Sequence, residues 1–83
     1  MPRFQFNVYD GNDSLDTEGT DLPDLRTAQI EAIAMAGGIL RERARFIRLD
    51  DDWRMEVTDD TGLILFRLDF QIVGSAAISG QKK

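Results

Sequence analysis

The chain has 83 residues, no cysteine and no histidine, and its 15 acidic against 10 basic residues give a formal net charge of −5. A single domain of this length buries about 60–65% of its unfolded surface, so the core is small. The composition excludes a disulfide framework, a thiolate or imidazole metal centre and histidine-based acid–base chemistry, and the acidic balance opposes binding to nucleic-acid phosphates.

Phe4, Phe6 and Val8 alternate with Arg3, Gln5 and Asn7, which predicts a strand with one buried face. Asp10-Gly11-Asn12-Asp13 has turn chemistry, because Gly and Asn accept positive φ. A short returning strand is expected over Ser14–Thr17. Leu25 to about Ala44 reads as a helix, with Leu25, Ala28, Ala32, Ile33, Ala36, Ile39 and Leu40 on its core face. Asp24 is the expected N-cap, Pro23 blocks earlier helix, and Arg41, Arg43 and Arg45 complement the C-terminal dipole.

Beyond the polar loop Asp50-Asp51-Asp52, Trp53, Met55 and Val57 alternate with polar residues as a further strand. Asp59-Asp60-Thr61-Gly62 is a hairpin turn. The last strand puts Ile64, Phe66, Leu68, Phe70 and Ile72 on one face. Gln5, Asn7, Tyr9, Arg54, Glu56, Arg67, Asp69 and Gln71 form the opposite, solvated sheet face, where opposite charges can pair across strands. The predicted fold is an α+β two-layer sandwich: an antiparallel sheet of three to four strands on one helix, in the order β-β-α-β-β. Residues 1–73 are expected to form one domain and residues 74–83 a flexible tail. No apolar run approaches the roughly 20 residues of a membrane span. Met1-Pro2-Arg3-Phe4 lacks a secretory apolar stretch, so a cytoplasmic protein is expected.

Three separated stretches resemble, in order, the motifs of a family of short bacterial proteins of unknown function, found mainly in alphaproteobacteria. They are Met1-Pro2-Arg3-Phe4 running on through Phe6 and Val8 to Asp10-Gly11, then Asp16-Thr17-Glu18-Gly19-Thr20-Asp21-Leu22-Pro23-Asp24-Leu25, then Trp53-Arg54-Met55-Glu56-Val57-Thr58-Asp59. Gly62, Leu65, Phe66, Leu68 and Phe70 fit the family's closing strand, so the likeness covers residues 1–72. It implies a stand-alone bacterial cytosolic domain and supplies no catalytic residue. The strand-strand-helix-strand order is also similar to the antitoxin half of some toxin–antitoxin pairs, a likeness of topology alone.

Candidate sites are few. Residues 10–24 hold six carboxylates and no basic residue, which raises the possibility of a calcium loop. With Asp10 at loop position 1, the required Gly falls on Leu15 and the bidentate Glu on Asp21, so the spacing is wrong. Within this segment Asp16 and Glu18 are the residues that turn and cap chemistry leave unexplained. Asp60-Thr61-Gly62 has the letters of an aspartic-protease triplet but not its apolar flanks. A carboxylate pair for glycoside chemistry needs a cleft that a sandwich this small barely provides. The arginine run at Arg41, Arg43, Arg45 and Arg48 could meet an acidic partner or phosphate, but complementing the helix dipole, with solvation, is the favoured reading. Ile30, Ala34, Gly37 and Gly38 lie opposite the apolar stripe: small residues there admit a second backbone, or else fit or bend the helix against the sheet.

The expectation is a non-enzymatic protein-interaction or regulatory module with no catalytic, cofactor or metal residues. Its partner is another protein or a second copy, met through Ile30, Ala34 and Gly37 with Arg41 nearby, and neither nucleic acid nor membrane. Two alternatives remain: an antitoxin-like protein neutralising a basic partner, and a divalent-cation binder using the acidic segment.

Overall fold

The computed structural model describes residues 1–11 and 13–79. Strands β1 (Arg3–Tyr9), β2 (Thr20–Asp21), β3 (Asp52–Thr58) and β4 (Ile64–Gln71) form one antiparallel sheet in the order β2-β1-β3-β4. Helix α1 (Leu25–Glu42) lies on one face, which makes the α+β two-layer sandwich expected from the periodicity. The expected second strand is displaced. Ser14 makes only an isolated bridge to Val8, and the paired residues are Thr20 and Asp21. Asn12 of the first turn lies outside the described residues, and Gly11 beside it has φ +90°.

The core is two ladder columns under the helix: Phe4, Phe6 and Val8 of β1, and Trp53, Met55 and Val57 of β3. Ala28, Ala32 and Ala36 face them and are buried, with Leu22, Ile39 and Leu40 packed at the margins. An alanine ridge brings the helix backbone close to the sheet, but the contact is narrow. Leu25 and Ile33, expected in the core, are therefore exposed, Ile33 at 61%. The helix ends earlier than expected, at Glu42, where the Arg43 N–H donates to the Ile39 carbonyl.

The β3–β4 ladder slips by one residue between Val57, which pairs with Phe66, and Thr58, which pairs with Ile64. Leu65 is the extra residue of this bulge. The alternation read along the sequence puts Ile64 beside Phe66 under the helix. The bulge instead sets it opposite Thr58, whose hydroxyl donates to Gln5 Oε1 on the polar face, and Ile64 is 52% exposed. The turn before it is anchored by Asp59, whose Oδ1 accepts the Thr61 and Leu63 N–H groups and the Thr61 hydroxyl at 2.8, 3.1 and 2.6 Å. Gly62 takes φ +94° there. Asp60 stands exposed at the tip of this hairpin, as a turn residue.

On the polar face the charges pair along strands rather than across them: Arg54 with Glu56 at 2.8 Å, Arg67 with Asp69 at 3.1 Å. Arg54 also stacks on the Tyr9 ring, 4.4 Å from its centroid. Beyond β4, residues Ala76–Ser79 form a single helical turn, α2, within the segment expected as a tail. The rest of that expectation, residues 80–83, lies outside the described residues.

Met55 is fully buried beneath α1, so Met55→Ala is expected to lower unfolding free energy by about 2–5 kcal/mol. Ile64→Ala is expected to cost about 1 kcal/mol or less. Urea titration of the two variants tests the bulge, since equal losses would put Ile64 back in the core.

Candidate functional site

The acidic segment turns out to be the cover of a sheet edge. β1 pairs with β3 on one side, and residues 14–22 run back along the other. Val8 and Ser14 exchange backbone hydrogen bonds of 2.9 and 2.8 Å, and the Leu22 N–H donates to the Pro2 carbonyl at 3.0 Å. Between the Ser14 bridge and β2 the backbone leaves the ladder, and a side chain replaces it. Asp16 Oδ2 accepts the Phe6 N–H at 3.1 Å, while Oδ1 accepts those of Glu18 and Gly19 at 3.0 and 2.9 Å. The Asp16 N–H in turn donates to Asn7 Oδ1 at 2.9 Å. Burial pushes the Asp16 carboxyl up, but the N–H groups of Gly19, Phe6 and Glu18 and the Arg3 guanidinium outweigh it and hold it below its ordinary value.

The remaining residues of this stretch serve the same crossing. Arg3 pairs with Asp21 at 3.3 Å and donates to the Glu18 carbonyl. Gly19 has φ +78°, and a Cβ there would stand 2.8 Å from Arg3 Cγ and 3.1 Å from the Phe4 carbonyl oxygen. Only glycine fits both constraints. Asp24 caps α1 by accepting the Thr27 N–H at 2.8 Å, and its hydrogen bonds with Thr27 lower its pKa. Of the two residues left unexplained by turn chemistry, Asp16 is therefore a structural acceptor. Glu18 contributes its backbone, and its side chain is exposed. Among the described residues, no group of three or more Asp or Glu side chains is placed to hold a metal ion.

The arginine run disperses. Arg41 lies exposed in the last helical turn, and Arg43 reaches Asp10 at 3.2 Å. That ion pair borders a pocket of about 290 Å³ that Phe46, Asp50 and Trp53 also line. The Trp53 indole N–H is buried and has no acceptor among the described residues. Sequence reasoning treated Trp53 only as core. The opposite charges of Asp10 and Arg43 were the available signal for this end of the sandwich.

Ile30, Ala34, Gly37 and Arg41 do come together, as an exposed face of α1, with Ile30 51% exposed. A Cβ at Gly37 or Gly38 would meet nothing within 4 Å, so neither glycine is needed to fit the helix to the sheet. Beside this face, Ile33 and Gln29 border a shallow groove of about 180 Å³ whose other wall is Phe66, Arg67 and Leu68 of β4. Helical periodicity hides this groove, because it assigns Ile33 to the core.

The molecule is thus a small α+β sandwich whose acidic segment covers the β1 edge and which leaves an apolar groove at the junction of α1 and β4. The chain belongs to the family described as a domain of unknown function, DUF6894, whose model matches residues 3–71. No curated protein and no solved structure matches it. No helix among the described residues is long and apolar enough to cross a membrane.

Two predictions test this assignment. Asp16→Asn would turn an amide donor toward an N–H group, and is expected to cost about 1–2 kcal/mol in urea unfolding, the bond being partly solvent-screened. Asp16, Asp24 and Asp59 all have lowered folded-state pKa values, so their contribution is present above the unfolded value near ~3.9 and lost as pH falls through the folded values. Stability is expected to drop below about pH 4, less steeply in Asp16→Asn. The second prediction separates the glycines: Gly19→Ala is expected to destabilise by about 2 kcal/mol. Gly37→Ala and Gly38→Ala are expected to stabilise the monomer by about 0.5–1 kcal/mol each. Thermal melts at low protein concentration check the opposite signs.

Proposed function

We propose that the domain is a non-enzymatic cytoplasmic module, bacterial in origin, that works by protein–protein contact through the α1 and β4 surface. The observation that carries this reading is the pair of exposed isoleucines, Ile30 and Ile33, beside a β4 wall that α1 leaves partly uncovered. Contiguous apolar surface of this kind is the usual mark of an interaction site. Gly37 and Gly38 add support, since they weaken the helix without any packing need inside the monomer.

An antitoxin-like role is supported only by the net charge of −5, which favours a basic partner. A divalent-cation role has less behind it, because Asp16, Asp21 and Asp24 already have intramolecular partners.

A photo-crosslinking residue placed at Ile33 in the native cell is expected to give a discrete protein adduct, and one placed at exposed Thr17 none. Ile33→Asp, at an exposed position, should change stability by no more than about 0.5 kcal/mol yet abolish the contact. Absence of any adduct from position 33 would remove the reading.

A further inference from the structure

We propose that the occupant of this surface is a second copy of the same chain, paired edge to edge through β4 in one register, with a two-fold axis through Leu68. The inference rests on the interaction reading above and names its partner. β4 is an edge of the sheet, and among the described residues no strand pairs with its outer side. The two edges are treated differently. Residues 14–22 cover β1, whereas β4 presents eight residues of unpaired ladder. A long open edge is a template for another strand.

The sequence of β4 selects the strand it fits. Around Leu68 the residues read Phe66-Arg67-Leu68-Asp69-Phe70. In an antiparallel pairing centred on Leu68, Leu68 meets Leu68, Phe66 meets Phe70, and Arg67 meets Asp69, the last two pairs occurring twice. Moving the axis by one residue to Arg67 or Asp69 sets like charges directly opposite each other, which disfavours those registers. A two-fold axis normal to the sheet also keeps both helices on the same face. The half-covered side chains of Phe66, Leu68 and Phe70 from both copies then form one continuous floor between the two helices, with Ile33 at each margin. Their β3 ladder partners Val57, Met55 and Trp53 are already buried at 0%, 0% and 3% exposure, so the added cover falls on the column that lacks it.

Sedimentation equilibrium of the full chain, from micromolar to millimolar, gives the test. The wild type is expected to show a concentration-dependent dimer. Arg67→Asp and Asp69→Arg should each weaken it by about tenfold or more, because each turns both cross-strand pairs into like-charge pairs. Arg67→Asp/Asp69→Arg should restore it. An equimolar mixture of the two single variants should form a heterodimer, since every cross-strand pair is then opposite in charge. That rescue cannot arise from a folding defect, and both positions are exposed. A wild type that stays monomeric at millimolar concentration, or single variants that fail to associate when mixed, would overturn the second-copy inference. If the wild type is monomeric but position 33 still gives an adduct with another protein, the interaction reading survives and this inference falls.

Discussion

Closure of the β1 edge depends on one carboxylate, that of Asp16. A two-residue strand cannot close the edge of a seven-residue one, and between Ser14 and Thr20 the backbone has left the ladder. Without a substitute, the Phe6 N–H in the middle of β1 would lack an acceptor, in the strand whose Phe4, Phe6 and Val8 supply half of the sheet's contribution to the core. Asp16 provides that acceptor from a side chain and uses its other oxygen to hold the turn that brings the chain back at Gly19. The return in turn fixes Leu22 against the core and sets Asp24 where it can start the helix. Two of the six carboxylates, Asp16 and Asp24, thus accept backbone N–H groups, for which carboxylates are strong acceptors, and Asp21 and Asp10 are held in ion pairs with Arg3 and Arg43.

The second constraint is width. An α-helix with side chains is about 10–12 Å across, and strands lie about 4.8 Å apart, so one helix spans little more than two strands. Here the alanine ridge centres it on β1 and β3. β2 needs no cover because it is two residues long and exposed. β4 is eight residues long, carries Phe66, Leu68 and Phe70 toward the helix layer, and is only partly covered by the helix. The exposed flank of α1 and the underused apolar column of β4 have one geometric origin, and they adjoin.

Much of this architecture is legible in the residues. The alternations Phe4-Phe6-Val8 and Trp53-Met55-Val57 place the buried strand columns correctly, and Pro23-Asp24 marks the helix start. What escapes is whatever depends on tertiary partners. Ile33 shares the helical period of the core residues, but nothing in that period states where the sheet ends. Ile64 fits the alternation of β4, but the bulge at Leu65 depends on the opposing strand. Asp16 looks like one carboxylate among six, and its role depends on a donor ten residues away. Glu18, singled out beside it, contributes backbone alone. Ile30, Ala34 and Gly37, which sequence periodicity sets opposite the apolar stripe, are exposed, and so is Arg41, read there as a complement to the helix dipole.

That outer flank is costly for a chain of this size. A domain of 83 residues has a stability of roughly 4–12 kcal/mol, and two interior helix glycines forgo about 1–2 kcal/mol of it. Neither glycine makes room for anything within the monomer, and the neighbouring isoleucines gain little from burial. The interaction surface proposed above is where such a cost would be offset. The polar face bears on the same proposal. Arg67 and Asp69 pair along their own strand, an exposed arrangement worth little. In the proposed pairing those charges, already opposite Glu56 and Arg54 of β3, would meet the same two residues in reverse order on their outer side, and the open edge would favour that one strand.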